Sequence, residues 1–477
     1  MTQHNLISRS IGSPTITSWL NLSAKSMAIF FLIPLVNLNF TELDRFVWFS
    51  LATVWSIILV LDLGINPIVT RYFSYLMGKK GLFDIIPNNI EMNEGDIHAF
   101  VALIQRFYRI IIVFIIALLL PLFYLSVYEK IQTSEKLIEF IVLYFGCASI
   151  CIVYLRSNVF NGIIQGLGHL PKVQITQFWV ALTSIILSSL AIFLTESLLW
   201  TVIGFYCPYL IYFFLIRRIA TTLISENFPN NDHNIFVNVK TQLARRLLED
   251  FFKSGVGILA SQGFVLGSAM LVNKIGSIQG ATNYMMCLQF VRAISSYSQV
   301  PFYSKIPVFC KYYAAGKVLE LNRAMTKGFT ISLAIYVAMV SFVGLVASNS
   351  IGGKLFGAGF EINMWLIFGF AFLFERIGST LIQVYTVTGD VKWHIANSGV
   401  ALFSIAMVLL IRESINEYMF LISLMLSYLL FLVPYGSYLV YRKSYIQLDA
   451  LTYIPYILLA ALALAFTLVA IRLPSFY

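Results

Sequence analysis

The residues equipped for chemistry in this sequence are charges placed in apolar surroundings. Lys25 stands between Ser23 and Ser26 midway along one long apolar stretch, and Arg292 midway along another. Glu375 and Arg376 are adjacent in a third. Asp62 precedes Leu63-Gly64 in the inner part of a fourth, Arg156 ends a fifth and Lys253 begins a sixth. An ionised side chain at the centre of a bilayer costs roughly 2.5–3.5 kcal/mol on insertion scales, so such groups face protein or water. Lys25 and Arg292 are therefore expected to face a cavity. Arg156 and Lys253 lie close enough to segment ends to snorkel instead. Glu375 and Arg376 can equally fix packing by pairing with charges on neighbouring helices, and Asp62 can cap locally or pair with Arg71. Apart from the two acids the interior is cationic. Lys25, Arg292, Arg156 and Arg376 are candidate ligands for a phosphate or carboxylate, which cations attract strongly where solvent screening is weak. Asp62 and Glu375 are candidates for coupling to an ion.

No other chemistry shows. The five histidines are scattered and form no metal-binding helical pair. There is no phosphate loop, and neither cofactor nor metal is expected. The five cysteines (Cys147, Cys151, Cys207, Cys287 and Cys310) have neither metal-ligand spacing nor a secreted framework, and read as small buried hydrophobes. The chain is not expected to be an enzyme. A membrane glycan polymerase or ligase is the enzymatic rival, but the outer loops are too short to house its active site.

The elements that position these charges follow from composition. Of the 477 residues 59% are apolar and 11% charged, against about 25% charged for a soluble chain. Mean hydropathy is +0.82. A soluble enzyme, a disordered chain and a nucleic-acid binder are excluded, and apolar runs of helix-spanning length make a β-barrel unlike this sequence. The fold class is an all-α polytopic membrane protein. Thirteen spans of about 20 residues fall near 13–36, 46–72, 102–127, 137–157, 173–194, 198–216, 252–273, 280–302, 326–347, 361–385, 391–411, 418–440 and 451–471. Alternate loops then hold sixteen Lys and Arg against seven, which puts the N-terminus in the cytoplasm. This bias also accounts for the net charge of +10 without a nucleic-acid partner.

The longest loop, near 217–251, contains Pro229 and then an amphipathic stretch. Leu243, Leu247 and Phe251 recur opposite Lys240, Arg245 and Arg246, the pattern of a helix lying in the cytoplasmic interface. The polar loop from Asp84 to Asp96 is given no role. The two sides of the long loop resemble each other. Pro67-Ile68-Val69-Thr70-Arg71 ends the second span as Pro301-Phe302-Tyr303-Ser304-Lys305 ends the eighth, and Val180–Ile185 matches Val400–Ile405. Arg106 pairs likewise with Arg323, and Gly168 with Gly389. The matches keep one order, as a duplication would. The expected organisation is a six-helix lobe at 1–220, a cytoplasmic linker with the amphipathic helix at 221–251, a second six-helix lobe at 252–440 and an additional helix within 441–477. Two halves of six spans share one topology, an arrangement in which transporters hold substrate between the halves.

Four motifs carry a family resemblance. They are Asp62-Leu63-Gly64-Ile65 with Pro67 and Arg71; Asn161-Gly162-Ile163-Ile164-Gln165-Gly166-Leu167-Gly168; Pro301 with Lys305, Ala314, Ala315, Gly316 and Lys317; and Leu355-Phe356-Gly357-Ala358-Gly359-Phe360. Over about 12–440 the chain resembles the Wzx-type polysaccharide flippases, the polysaccharide-export branch of the multidrug/oligosaccharidyl-lipid/polysaccharide (MOP) superfamily. The resemblance implies two six-helix lobes in a V with a central cationic cavity (a MATE-like fold) in the bacterial inner membrane. It implies movement of an undecaprenyl-diphosphate-linked oligosaccharide, such as an O-antigen, capsule or exopolysaccharide repeat unit, from the cytoplasmic to the outer leaflet. Partners would be that lipid-linked oligosaccharide, the bilayer, and the polysaccharide polymerase and chain-length machinery. A multidrug antiporter of the same superfamily and a peptidoglycan-precursor flippase remain alternatives.

Overall fold

The computed structural model describes residues 14–66, 68–70, 73, 96–227, 241–314, 316–348, 360–387, 392–410 and 416–442. Among these the chain is helical throughout, with no strand. The principal helices are α1 Pro14–Asn39, α2 Glu42–Val60, α3 Asp96–Phe123, α4 Leu137–Leu155, α5 Ser157–Gly166, α6 Leu170–Thr195, α7 Leu198–Asn227 and α8 Thr241–Ile275. They continue with α9 Ile278–Ser298, α10 Ile306–Ala314, α11 Val318–Ser348, α12 Ile362–Thr386, α13 Trp393–Leu410, α14 Glu417–Ser427 and α15 Val433–Tyr441. Eleven described helices are long and apolar enough to cross a membrane, counting α4 with α5 and α14 with α15 as one each. The chain is a multi-pass membrane protein of all-α class. The expected thirteenth span, 451–471, lies outside the described residues, as do 84–95 and residues 355–359 of the fourth motif.

Three expected spans differ in detail, each for a physical reason. The segment 280–302 forms a helix, α9, of 21 residues, about 32 Å long at 1.5 Å per residue. It is too polar to count among the eleven, because Asn283, Gln289 and Arg292 interrupt it; most of it is buried in protein. The segment 46–72 is not one continuous helix. α2 stops at Val60, and Leu63 (φ 54°) and Gly64 (φ 74°) adopt the left-handed conformation, which costs a leucine energy and a glycine little. The amphipathic stretch from Leu243 is not a separate helix. It forms the first turns of α8, whose 35 residues run unbroken into the seventh span.

The chain divides into two compact units, Met1–Ala24 with Leu51–Gly263, and Lys25–Ser50 with Phe264–Tyr477. The boundaries fall inside α1, α2 and α8. In the first unit α7 packs along α6, where Gly204 brings the backbones together: a Cβ there would sit 3.0 Å from the carbonyl carbon of Leu187. Gly162 and Gly166, one turn apart on α5, face the chain beyond the α2 break. A Cβ on Gly162 would lie 2.7 Å from Val69 Cβ, and one on Gly166 would strike Phe73 and lie 2.8 Å from the Thr70 carbonyl. Small residues at this spacing let backbones approach closely in membranes. This is the physical content of the second family motif. In the second unit α12 is the central helix, with Trp365, Phe368, Ala371, Leu381 and Ile382 buried. It packs against α15 through Gly378 and Gly436, where added Cβ atoms would lie 2.6 Å from Leu432 Cγ and 3.0 Å from Leu381 Cβ.

Candidate functional site

The second unit holds three of the four candidate cations. Arg376 on α12 is 4% exposed. Its Nη1 donates to Gln299 Oε1 at 2.8 Å and its Nη2 to Glu375 Oε2 at 3.0 Å and to Ser295 Oγ. Its Nε has no acceptor among the described residues. Glu375 Oε1 accepts a hydrogen bond from Ser379 Oγ at 2.6 Å, one turn along the same helix. Among the described residues, Glu375 and Arg376 thus form an ion pair with each other. Arg292, half-buried on α9, joins them: Arg292, Arg376 and Glu375 all lie within electrostatic range of Tyr428. Tyr303 and Tyr336 also feel the Glu375–Arg376 pair. Lys25 is half-buried on α1 in the same unit, at the point where α1 passes from one unit to the other. Among Lys25, Arg292, Glu375 and Arg376, cations outnumber acids three to one.

The first unit is built differently. Asp62 is buried at the α2 break. Its carboxylate accepts hydrogen bonds from Tyr108 on α3, from the Asn158 side chain on α5 and from the backbone N–H groups of Ile65 and Asn66. It therefore caps the helical turn that restarts after Leu63-Gly64, satisfying donors that the break would otherwise leave orphaned. Arg71 lies outside the described residues. Arg156 occupies the break between α4 and α5 and is exposed, its guanidinium carbon 6.0 Å from the centre of the Phe213 ring. The side chain of Lys253 is outside the described residues.

Sequence reasoning passed over a run of neutral polar groups beyond Asp62. Asn161 Nδ2 donates to Asn158 Oδ1 at 3.5 Å, and Tyr212 donates to Asn161 Oδ1 at 2.5 Å. Gln177 Nε2 donates to the Tyr212 hydroxyl at 3.1 Å, and Asn21 Nδ2 donates to Gln177 Oε1 at 2.8 Å and to Gln174 Oε1. The signal was present, since each amide interrupts an apolar span, but attention to formal charge hides neutral groups. Cys147, Cys151 and Cys287 are buried and Cys207 is half-buried, all as free thiols.

No protein-family model matches the chain, and no curated protein matches it in sequence. Solved structures do match its fold. An inward-facing multidrug resistance MATE family transporter of the MOP superfamily aligns with TM-score 0.60 at 13% identity, over 88% of this chain and 97% of the other. The lipid II flippase MurJ in an inward closed conformation aligns with TM-score 0.60 at 14% identity, over 96% of each chain. A MOP superfamily transporter from Pyrococcus furiosus, described as having a binding pocket of reverse polarity, aligns with TM-score 0.53 at 15% identity over 89% and 94%. The chain has the fold of the MOP-superfamily transporters.

Proposed function

We propose that this protein is a flippase of the Wzx type. It carries an undecaprenyl-diphosphate-linked oligosaccharide from the cytoplasmic to the outer leaflet of a bacterial inner membrane by alternating access. Lys25 and Arg292 hold the diphosphate or an acidic sugar, with Arg156 and Arg376 contributing, while the lipid tail stays in the bilayer. Asp62 and Glu375 couple movement to an ion; protonating Glu375 would release Arg376 from its partner. The lobes are 1–220 and 252–440, joined by 221–251.

The observation that carries this reading is that three cations (Lys25, Arg292 and Arg376) against one acid (Glu375) stand midway along helices of the second unit. Arg292 and the Glu375–Arg376 pair gather about Tyr428, and Lys25 lies mid-helix in the same unit. Burying cations within membrane-spanning segments is expensive unless an anion is to be met there. A carrier of cationic drugs needs acids to dominate such a region. The match in fold to a lipid II flippase over nearly the whole chain is consistent with a lipid-linked cargo. The matches to multidrug transporters keep a drug antiporter as the second reading.

The test is the sidedness of the lipid-linked oligosaccharide in spheroplasts with and without the protein, read by a membrane-impermeant glycosidase or lectin. The oligosaccharide is expected to stay inside without the protein and to appear outside with it. Unchanged sidedness overturns the reading, and drug efflux and polymer-length assays then become the discriminating measurements.

A further inference from the structure

The first unit contains a face that the charges do not explain. α2 has no exposed large hydrophobic residue, so it is an interior helix rather than a lipid-facing one. Of its half-buried residues, Ala52, Trp55, Ser56 and Leu59 recur at three- and four-residue spacing and therefore share one face. On α7 the lipid-facing stripe is Trp200, Ile203, Ile211 and Phe214, each 36–63% exposed. Tyr209 is two residues from Ile211, about 200° round the helix, so its half-buried ring opens away from lipid. The rings of Trp55 and Tyr209 lie 5.3 Å apart, and Phe205 lies 6.3 Å from Tyr209. Beneath them Tyr206 is 4.6 Å and Tyr154 5.7 Å from Trp55. The Cys151 thiol donates to the Trp55 carbonyl at 3.6 Å, fixing the backbone.

Polar handles border these rings. The Tyr209 hydroxyl is hydrogen-bonded to Ser184, whose own hydroxyl donates to the Val180 carbonyl, so Tyr209 is the donor and its oxygen can still accept. Ser56 lies beside Trp55. The Trp55 indole N–H has no acceptor among the described residues, whereas a tryptophan held in a protein interior usually finds one. None of these side chains is charged. An open aromatic face with neutral donors and acceptors at its edge suits a ligand with an apolar C–H face and hydroxyls round its rim. That ligand is a pyranose ring.

We infer that the Trp55–Tyr209 surface of the first unit is a neutral subsite that stacks a sugar of the cargo. The inference rests on the flippase reading. It predicts that affinity for a sugar-bearing lipid exceeds affinity for the bare lipid, and that the excess depends on the two rings.

The experiment titrates purified full-length protein with two probes by native mass spectrometry: undecaprenyl diphosphate, and undecaprenyl diphosphate carrying one N-acetylglucosamine. The wild-type protein is expected to prefer the second by about tenfold, the size of one or two stacking contacts. Trp55→Leu/Tyr209→Leu is expected to lose that preference while binding undecaprenyl diphosphate as before, which shows that it is folded. Trp55→Phe and Tyr209→Phe, which keep a ring, are expected to retain most of it. A preference that survives in the double leucine variant overturns the inference, as does equal wild-type binding of both lipids, which leaves the flippase reading standing. Wild-type protein that binds neither lipid overturns both.

Discussion

The two units solve the same problem, a charge inside a membrane-spanning segment, in opposite ways. In the second, Arg376 sits beside Glu375 on α12, and α9 and the turn that follows it supply Ser295 and Gln299 as neutral acceptors. The pair is close to neutral overall. In the first unit, among the described residues, the groups that hydrogen-bond Asp62 are neutral. A phenol, an amide and two backbone N–H groups from a broken helix stabilise it. The difference teaches where charge is available to act. An ion pair holds its charges against each other, whereas a carboxylate held by neutral donors keeps its charge and can take up or release a cation without stranding a partner.

The largest effect expected from this contrast is on transport. Lys25→Ala and Arg292→Ala should each abolish appearance of the oligosaccharide in the outer leaflet while leaving the protein folded and membrane-inserted, because the proposed function sets both cations against the anionic part of the cargo. Full activity in both single variants and in the double variant would remove the cationic site from the account.

The next effect is on stability. Arg376→Met leaves the half-buried Glu375 without its cation and should cost about 3 kcal/mol, the low end for a buried pair, read as a drop in thermal midpoint in detergent. Glu375→Gln/Arg376→Met removes both charges and should recover much of that loss. If the double variant is no better than the single one, the pair is not what balances Arg376, and the contrast between units loses its basis.

Packing in the first unit gives the third test. Gly166→Ala places a methyl group against Phe73 and the Thr70 carbonyl. Backbone cannot yield there as a flexible side chain would, so the cost is about 2–3 kcal/mol, visible in the same melting assay. Gly146, with open space at its Cβ position, is the control: Gly146→Ala should change the midpoint little. Equal effects at the two sites would mean that α5 does not seat against the chain beyond the α2 break.

Much of this architecture was legible before the structure because it depends on hydropathy and length. Twelve of the thirteen expected spans fall on helices, and Gly162 and Gly166 of the Asn161–Gly168 motif are contact points. Glu375 and Arg376 were found by charge alone, but their pairing was not, because adjacent residues on a helix ordinarily diverge. Here both side chains bend toward one space near Ser295. The break after Asp62 was hidden for a different reason: Leu63 is in a conformation leucine disfavours, so local preference argued for continuing the helix. The Asn21–Gln177–Tyr212–Asn161 chain was hidden because long-range amide contacts between α1, α5, α6 and α7 leave no periodic trace.

The smallest effect is the sharpest test of the Asp62 side of the comparison. Tyr108→Phe removes one neutral donor from a buried carboxylate and should cost roughly 1.5 kcal/mol. Asp62→Asn keeps an oxygen that can cap Ile65 and Asn66 and should cost no more than that, while Asp62→Ala loses the cap and should cost more. If Asp62 couples movement to an ion, Asp62→Asn will also abolish the dependence of flipping on the ion gradient, which Tyr108→Phe will preserve, because the carboxylate is still present. An Asp62→Asn protein that retains both its stability and its gradient dependence would make Asp62 a structural cap alone. Coupling would then rest on Glu375 alone, whose protonation must break the Arg376 pair.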